Sequence, residues 1–249
     1  MRWVAETGST NSDLMAAAAA GDRSAEVLVA DLQTAGRGRL DRSWVAPTGT
    51  AFTGSLRCAA AVAPEHLGLV PVATGLAVLD ALGLSGVPRG VARLKWPNDV
   101  IVAGSGTGGL PDRKLAGILC EAGHGVVVIG IGLNCRRPPE VDGILAERAA
   151  WISDLVPTAP GLVDLAVSLV LAVDARLGQL EASPASIVAD QTAACDTIGR
   201  QVRVELPSGS WTGTAVGVDD HGQLLVRRPG STLPETVMAG DVVHLKPLR

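Results

Sequence analysis

Between Val91 and Asn134 four short apolar stretches, VARLKW, DVIVAG, KLAGILCEAG and GVVVIGIGLN, succeed one another with little more than turn-forming residues between them. Runs this short, rich in Val, Ile and Leu and bounded by Gly, Pro, Asn and Asp, predict strands, and four in succession predict a compact sheet. EVLVADLQ and TAFTGSLRC, upstream, have the same texture. Helical signals are fewer. Ser9, Thr10 and Asn11 precede an Ala-rich segment that Gly21 ends, with Thr10 and Asp13 spaced as a capping box. Glu65 to Leu82 carries Leu69, Val72, Leu76 and Leu79 at helical spacing, with Pro71 marking an irregularity. In PGLVDLAVSLVLAVDARLGQLE a single stripe runs through Leu162, Leu165, Ala166, Leu169, Val173, Leu177 and Leu180, the pattern of a long helix laid across a sheet.

From about Gly199 the texture changes. RQVRVELPSG, SWTGTAVGVDD, GQLLVRRPG, ETVMAG and DVVHLK are brief strands punctuated by Gly, Pro, Asp and Ser, the pattern of a small β-barrel. The boundary falls between Ala194 and Gly199, giving a large unit over 1–196 and a small one over 197–249. The expected class is therefore α/β (α+β): a mixed sheet with helices, plus a terminal barrel.

Composition narrows the function classes. With 47% hydrophobic and 18% charged residues the chain has the make-up of a folded protein, and no unbroken apolar run reaches the roughly 18 residues that cross a bilayer. The short apolar run Leu14 to Ala20 is approached through Glu6 and Asp13, unlike a secretory signal, so a cytoplasmic location and no membrane partner are expected. Cys58, Cys120, Cys135 and Cys195 are far apart with no C-x-x-C, which suggests reduced core residues. His66, His124, His221 and His244 share no metal-ligand spacing, and no serine-hydrolase signature is present. A net charge of -4 argues against a general nucleic-acid surface, so an anion bound here should be small and held locally.

Against that acidic background, QTAGRGRLDRSW (Gln33 to Trp44) concentrates three arginines, two glycines and a tryptophan. Gly36 and Gly38 interleaved with Arg37 and Arg39 make a loop able to bring backbone N–H groups and guanidinium forks to an anion; Arg42 and Trp44 extend it, although a solvated Arg/Gly turn has the same composition. KWPND (Lys95 to Asp99) sets a cation, an amide and a carboxylate at a strand end, a pattern an Asx turn also explains. In RKLAGIL, Lys114 opens a stretch of small and apolar residues and leaves an ammonium at the rim of a sheet, which suits the meeting of two anions. GIGLN ends a strand with small residues and Asn134, whose amide both donates and accepts. Gly104, Gly106 and Gly109 match G-x-G-x-x-G, but no helix is predicted after them, so the stretch is expected to be an excursion without catalytic duty.

In succession, STN, QTAGRGRLDRSW, KWPND, RKLAGIL and GIGLN closely resemble the biotin protein ligase family over almost the whole chain. The resemblance implies a mixed-sheet catalytic domain related to class II aminoacyl-tRNA synthetases, followed by an SH3-like domain. It implies an enzyme that uses ATP and Mg2+ to make biotinyl-5'-AMP and then transfers biotin to one lysine of the biotin carboxyl carrier domain of a biotin-dependent carboxylase. Position by position, it places Ser9, Thr10, Asn11 and Gln33 at the biotin ring, Gly36, Arg37, Gly38 and Arg39 in a covering loop, and Lys114 between the biotin carboxylate and the α-phosphate. It places Arg42, Trp44, Asn98 and Asn134 around the nucleotide, and makes Lys114 and Arg39 catalytic residues, with Asp99 an electrostatic or metal-related participant in catalysis. Many relatives carry a DNA-binding helix-turn-helix ahead of the catalytic domain, whereas STN starts here at Ser9, so no DNA partner is expected; a homodimer is the candidate assembly. Two alternatives remain open at this point. One is a lipoate ligase or an octanoyltransferase, the latter needing a nucleophile such as Cys120 or Cys135. The other is a non-catalytic ligand-responsive or RNA-binding module using Arg37, Arg39, Arg42 and Trp44.

Overall fold

The computed structural model describes residues 1–22, 24–59, 62–104, 111–206, 209–238 and 241–245. Seven strands form the main sheet: β1 (Arg2–Thr7), β2 (Val27–Gln33), β3 (Ala51–Ala59), β4 (Ala92–Lys95), β5 (Asp99–Val102), β6 (Arg113–Gly123) and β7 (Val126–Asn134), in the order β1-β2-β3-β7-β6-β5-β4. The β1–β2 pair is parallel and every other pair antiparallel, so the sheet is mixed as expected. The four stretches from Val91 to Asn134 form four adjacent strands of it.

Each strand's two faces explain where the helices go. On β7, Val127, Ile129, Ile131 and Leu133 alternate with Val126, Val128, Gly130 and Gly132. The first set joins the principal core with Phe52 and Leu56 of β3, beneath α2 (Val70–Leu84) and α4 (Leu162–Ala182). On the other face Val126 and Val128 pack with Leu28 against Leu14 of α1 (Thr10–Ala19), and beyond them the glycines leave room for a cavity. Along α4, Leu165, Ala166, Leu169, Val173 and Leu180 are buried, as the stripe predicted. Pro71 lies in the first turn of α2, after a 3-10 turn over Pro64–Leu69. Pro64–Leu84 as a whole is apolar enough to span a bilayer, but α2 is a core helix, with Ala73, Ala77 and Val78 fully buried.

Among the described residues, the sequence reading does not include the half-polar edge strand β1, the short α3 (Gly143–Arg148), a 3-10 turn over Ile152–Asp154, or α5 (Pro184–Ala194), which buries only Ile187 and Gln191. The capping box is not formed. Ser9 is the N-cap, Asp13 accepts a hydrogen bond from Thr7 Oγ1, and the Thr10 hydroxyl turns to Gln33 and Ser55. A polar network across the sheet thus outcompetes a local cap.

The terminal strands β8 (Gln201–Leu206), β9 (Gly209–Val218), β10 (Leu224–Arg227), β11 (Glu235–Val237) and β12 (Asp241–His244) form an antiparallel sheet in the order β11-β10-β9-β8-β12 around Val202, Val204, Ala215, Leu224 and Val226. Trp96, from the main sheet's β4–β5 turn, belongs to this second core, and its indole N–H donates to Gly222 O at 3.0 Å. Of the glycine-rich excursion, residues 105–110 lie outside the described residues.

Candidate active site

A cavity opens on the glycine face of the sheet. Gly117 of β6 and Gly130 and Gly132 of β7 line it as a floor; Ser9, Thr10, Asn11, Gln33 and Ser55 form one end; Asn98, Asp99 and Lys114 form the other. The segment from Arg37 to Trp44 roofs it, and Asp241 of β12 completes the rim. Glycine is required at the floor, because a Cβ at Gly132 would collide with the Trp44 indole and one at Gly130 with the Asn11 amide.

The roof is a tight hairpin. Arg37 pairs with Ser43, Gly38 N donates to Arg42 O at 2.6 Å, and Trp44 N donates to Gly36 O at 2.9 Å. Gly36 lies outside the lining and serves this turn, since a Cβ there would collide with Trp44 O. Leu40 and Asp41 at the tip both adopt left-handed φ values, 54° and 57°, which L side chains adopt at some cost. Polar contacts hold the hairpin down: Arg37 pairs with Glu121 at 2.9 Å, Arg42 with Asp241, and Arg39 Nη1 donates to Asn98 Oδ1 at 3.3 Å. Partial burial lowers the Arg39 pKa from its ordinary value, with Asp241 and Asp99 opposing the shift. The hydrogen bond to Asp241 raises that of Arg42.

At the polar end, Thr10 N and Oγ1 lie 2.8 and 3.1 Å from Gln33 Oε1, Thr10 Oγ1 lies 2.7 Å from Ser55 Oγ, and Ser55 Oγ donates to Asn11 Oδ1 at 2.6 Å. Ser9, Thr10 and Asn11 are all buried. At the cationic end, Lys114 Nζ lies 2.7 Å from Asp99 Oδ1 and 5.7 Å from the Trp44 ring centroid. Asn98 Nδ2 donates to Ile118 O at 2.7 Å, leaving its oxygen for Arg39.

Of the residues singled out from the sequence, Ser9, Thr10, Asn11, Gln33, Arg37, Gly38, Arg39, Arg42, Trp44, Asn98, Asp99 and Lys114 all line this one cavity. Asn134 does not. Its amide donates to Lys114 O and Ala150 O at 3.2 and 3.1 Å, bracing the strand that carries Lys114. Ser55 and Glu121 were missed, though their signal was present. On β3, polar Thr53, Ser55 and Arg57 alternate with Phe52, Leu56 and Cys58, and on β6 Glu121 falls on the same alternate positions as Gly117 and Leu119, so the period of two puts Ser55 and Glu121 on the cavity face.

Residues 9–136 match the model of the biotin/lipoate A/B protein ligase family, and residues 197–245 match that of the biotin protein ligase C-terminal domain. The chain is 42% identical to the biotin--[acetyl-CoA-carboxylase] ligase of Mycobacterium tuberculosis, over 98% of this chain and 88% of that protein. It is 34% identical to the enzyme of that name from Paracoccus denitrificans, over 91% and 93%. Among solved structures, the biotin protein ligase of Aquifex aeolicus in complex with biotin and ATP superposes with a TM-score of 0.79 at 24% identity, over 98% of each chain. The fold class is therefore that of these ligases, and the chain belongs to the biotin protein ligase family.

Proposed function

We propose that this protein activates biotin with ATP, forming biotinyl-5'-AMP and pyrophosphate, and then transfers the biotinyl group to a lysine of the biotin carboxyl carrier domain of a biotin-dependent carboxylase. The observation that carries the reading is the polarity of the cavity. A neutral, hydrogen-bonding end made by Ser9, Thr10, Asn11, Gln33 and Ser55 lies opposite a cationic end made by Lys114 and Arg39, beneath an arginine hairpin. The neutral end suits a cyclic urea, which both donates and accepts; the cationic end suits a carboxylate and a phosphate brought together.

In the first step a biotin carboxylate oxygen attacks the α-phosphorus; the bond to the β-phosphate oxygen breaks and pyrophosphate leaves. Lys114 is assigned to the junction of the two anions, where at about 4 Å each contributes roughly 4 kcal/mol at an effective dielectric near 20. Holding both reactants in one cavity supplies further acceleration. In the second step the amine of the acceptor lysine, having lost its proton, attacks the acyl carbon and AMP leaves. The mixed anhydride is labile in water, and the hairpin from Gly36 to Trp44 is assigned the task of covering it. Trp44, over Gly132, and Arg42 are assigned to the nucleotide side.

Mg2+ commonly binds through substrate phosphates with one or two carboxylates. The lining carboxylates, Asp99 beside Lys114 and Asp241 beside Arg42, are the groups that would hold it. The ion would neutralise phosphate charge.

The test is incubation with ATP, Mg2+ and biotin, followed by mass analysis. Biotinyl-AMP and a single biotinylated lysine on an added carrier domain are expected; nucleotide left unconsumed in the presence of biotin overturns the reading.

A further inference from the structure

Glu121 does not line the cavity, yet it touches both the roof, at Arg37, and the polar end, at Asn11. Its Oε1 accepts from Arg37 Nη2 at 2.9 Å, and its Oε2 accepts from Arg37 Nη1 at 3.1 Å and from Asn11 Nδ2 at 2.9 Å. We propose that Glu121 is a positioning residue for biotin: it orders the hydrogen bonds of the ring-binding end and fastens the hairpin over it in the same contact. The inference rests on the function proposed above and deepens it.

An ionised carboxylate only accepts, so the group that Asn11 turns toward Glu121 must be its NH2. The same NH2 lies 3.3 Å from Leu119 O, which again only accepts. Asn11 Oδ1 therefore faces Ser55, and the single Ser55 proton is used on it. Ser55 has none left for Thr10, so the Thr10 proton goes to Ser55 or to Gln33 Oε1. A lone pair on Thr10 Oγ1 is what remains for the cavity, and a ureido N–H is the kind of donor it takes. The Glu121 carboxylate, which makes the shorter of the two contacts, together with Leu119 O thus sets the polarity of a relay running through Asn11, Ser55 and Thr10. It does so while its paired oxygens grip the first arginine of the hairpin, the bidentate geometry that makes such pairs strong.

Glu121→Gln keeps the shape and removes the acceptor-only character, so the Asn11 amide is held in its orientation by Leu119 O alone, at 3.3 Å, and the grip on Arg37 is halved. The expected result is a rise of about tenfold in KM for biotin with a fall of less than threefold in kcat for adenylate formation, and about fivefold more biotinyl-AMP escaping into solution. In Arg37→Met with Glu121→Gln, the escape should be no greater than in the worse single variant, because both changes break one contact. Three outcomes overturn the proposal: unchanged KM and escape in Glu121→Gln, a fall in kcat matching the rise in KM together with a lowered thermal midpoint, or fully additive effects in the double variant. A wild-type protein that makes no biotinyl-AMP in the same assay removes the reading of the site itself, which separates that failure from this one.

Discussion

Lys114 illustrates how far a single residue can be read. Its position among small and apolar neighbours marks an ammonium at a sheet rim, and the structure supplies the partner, Asp99, at 2.7 Å through the β5–β6 pairing. Its side chain is 41% exposed, so the ammonium is available to an incoming anion without first leaving a dry interior. Lys114→Ala should lower the rate of adenylate formation by about 100-fold, less than the two-anion estimate because solvent screens a half-exposed charge; pyrophosphate release measures it, and an unchanged rate removes the role. The cysteines are the opposite case. Cys135 is fully buried, its thiol pushed up to about 12 by desolvation and donating to Leu133 O, and burial likewise raises Cys120. Thiols held in the neutral form are poor nucleophiles. Cys120→Ser and Cys135→Ser should each retain carrier biotinylation within about twofold of wild type; loss of transfer in either would favour a thioester route.

At the scale of elements, the period-2 alternation of β3, β6 and β7 organises the molecule, one face apolar against α2 and α4 and the other turning from valine to glycine and polar residues where the cavity begins. The glycine floor is a feature of that face. Gly132→Ala places a methyl group where the Trp44 indole lies, so the ring and the end of the hairpin must shift. The expected outcome is a rise of about tenfold in KM for ATP and an altered tryptophan emission, with the far-ultraviolet dichroism retained, since β7 keeps its ladder with β3 and β6. What local pattern did not disclose were β1, an edge strand with a half-polar sequence, α3, which is only 6 residues long, and α5, whose buried residues, Ile187 and Gln191, leave too faint a stripe.

At the scale of the whole molecule, the terminal sheet is fastened to the main one by a polar cluster. His244 of β12 lies 2.7 Å from Asp112 and 2.9 Å from Thr197 Oγ1, while Arg200 reaches Asp196 at 2.5 Å and Asp112 at 3.5 Å. Arg42 joins Asp241 a few residues away, so the fastening extends to the hairpin over the cavity. Partial burial opposes ionisation of Asp112, but the hydrogen bonds from His244 and the Gly104 N–H, with the Arg200 charge, bring its pKa down to about 2. A folded-state pKa below the unfolded value, about 3.9, means that ionised Asp112 favours the folded state above that pH and that the contribution fades as the pH falls towards 2. Urea midpoints measured from pH 5 to pH 2 should therefore fall less steeply for Asp112→Asn than for wild type; parallel curves would show that this carboxylate does not report on the junction.

Local pattern determined the strands from Val91 to Asn134, the stripe of α4, the change of texture near Gly199 and most of the segments that line the cavity, because each is written within a few consecutive residues as side-chain periodicity or turn chemistry. Only the tertiary structure decided that Asn11 meets Glu121 across 110 positions, that Arg42 meets Asp241 across 199, and that Asn134 braces Lys114. Those pairings depend on strand register and on how one sheet seats against another, which no short stretch of chain encodes by itself.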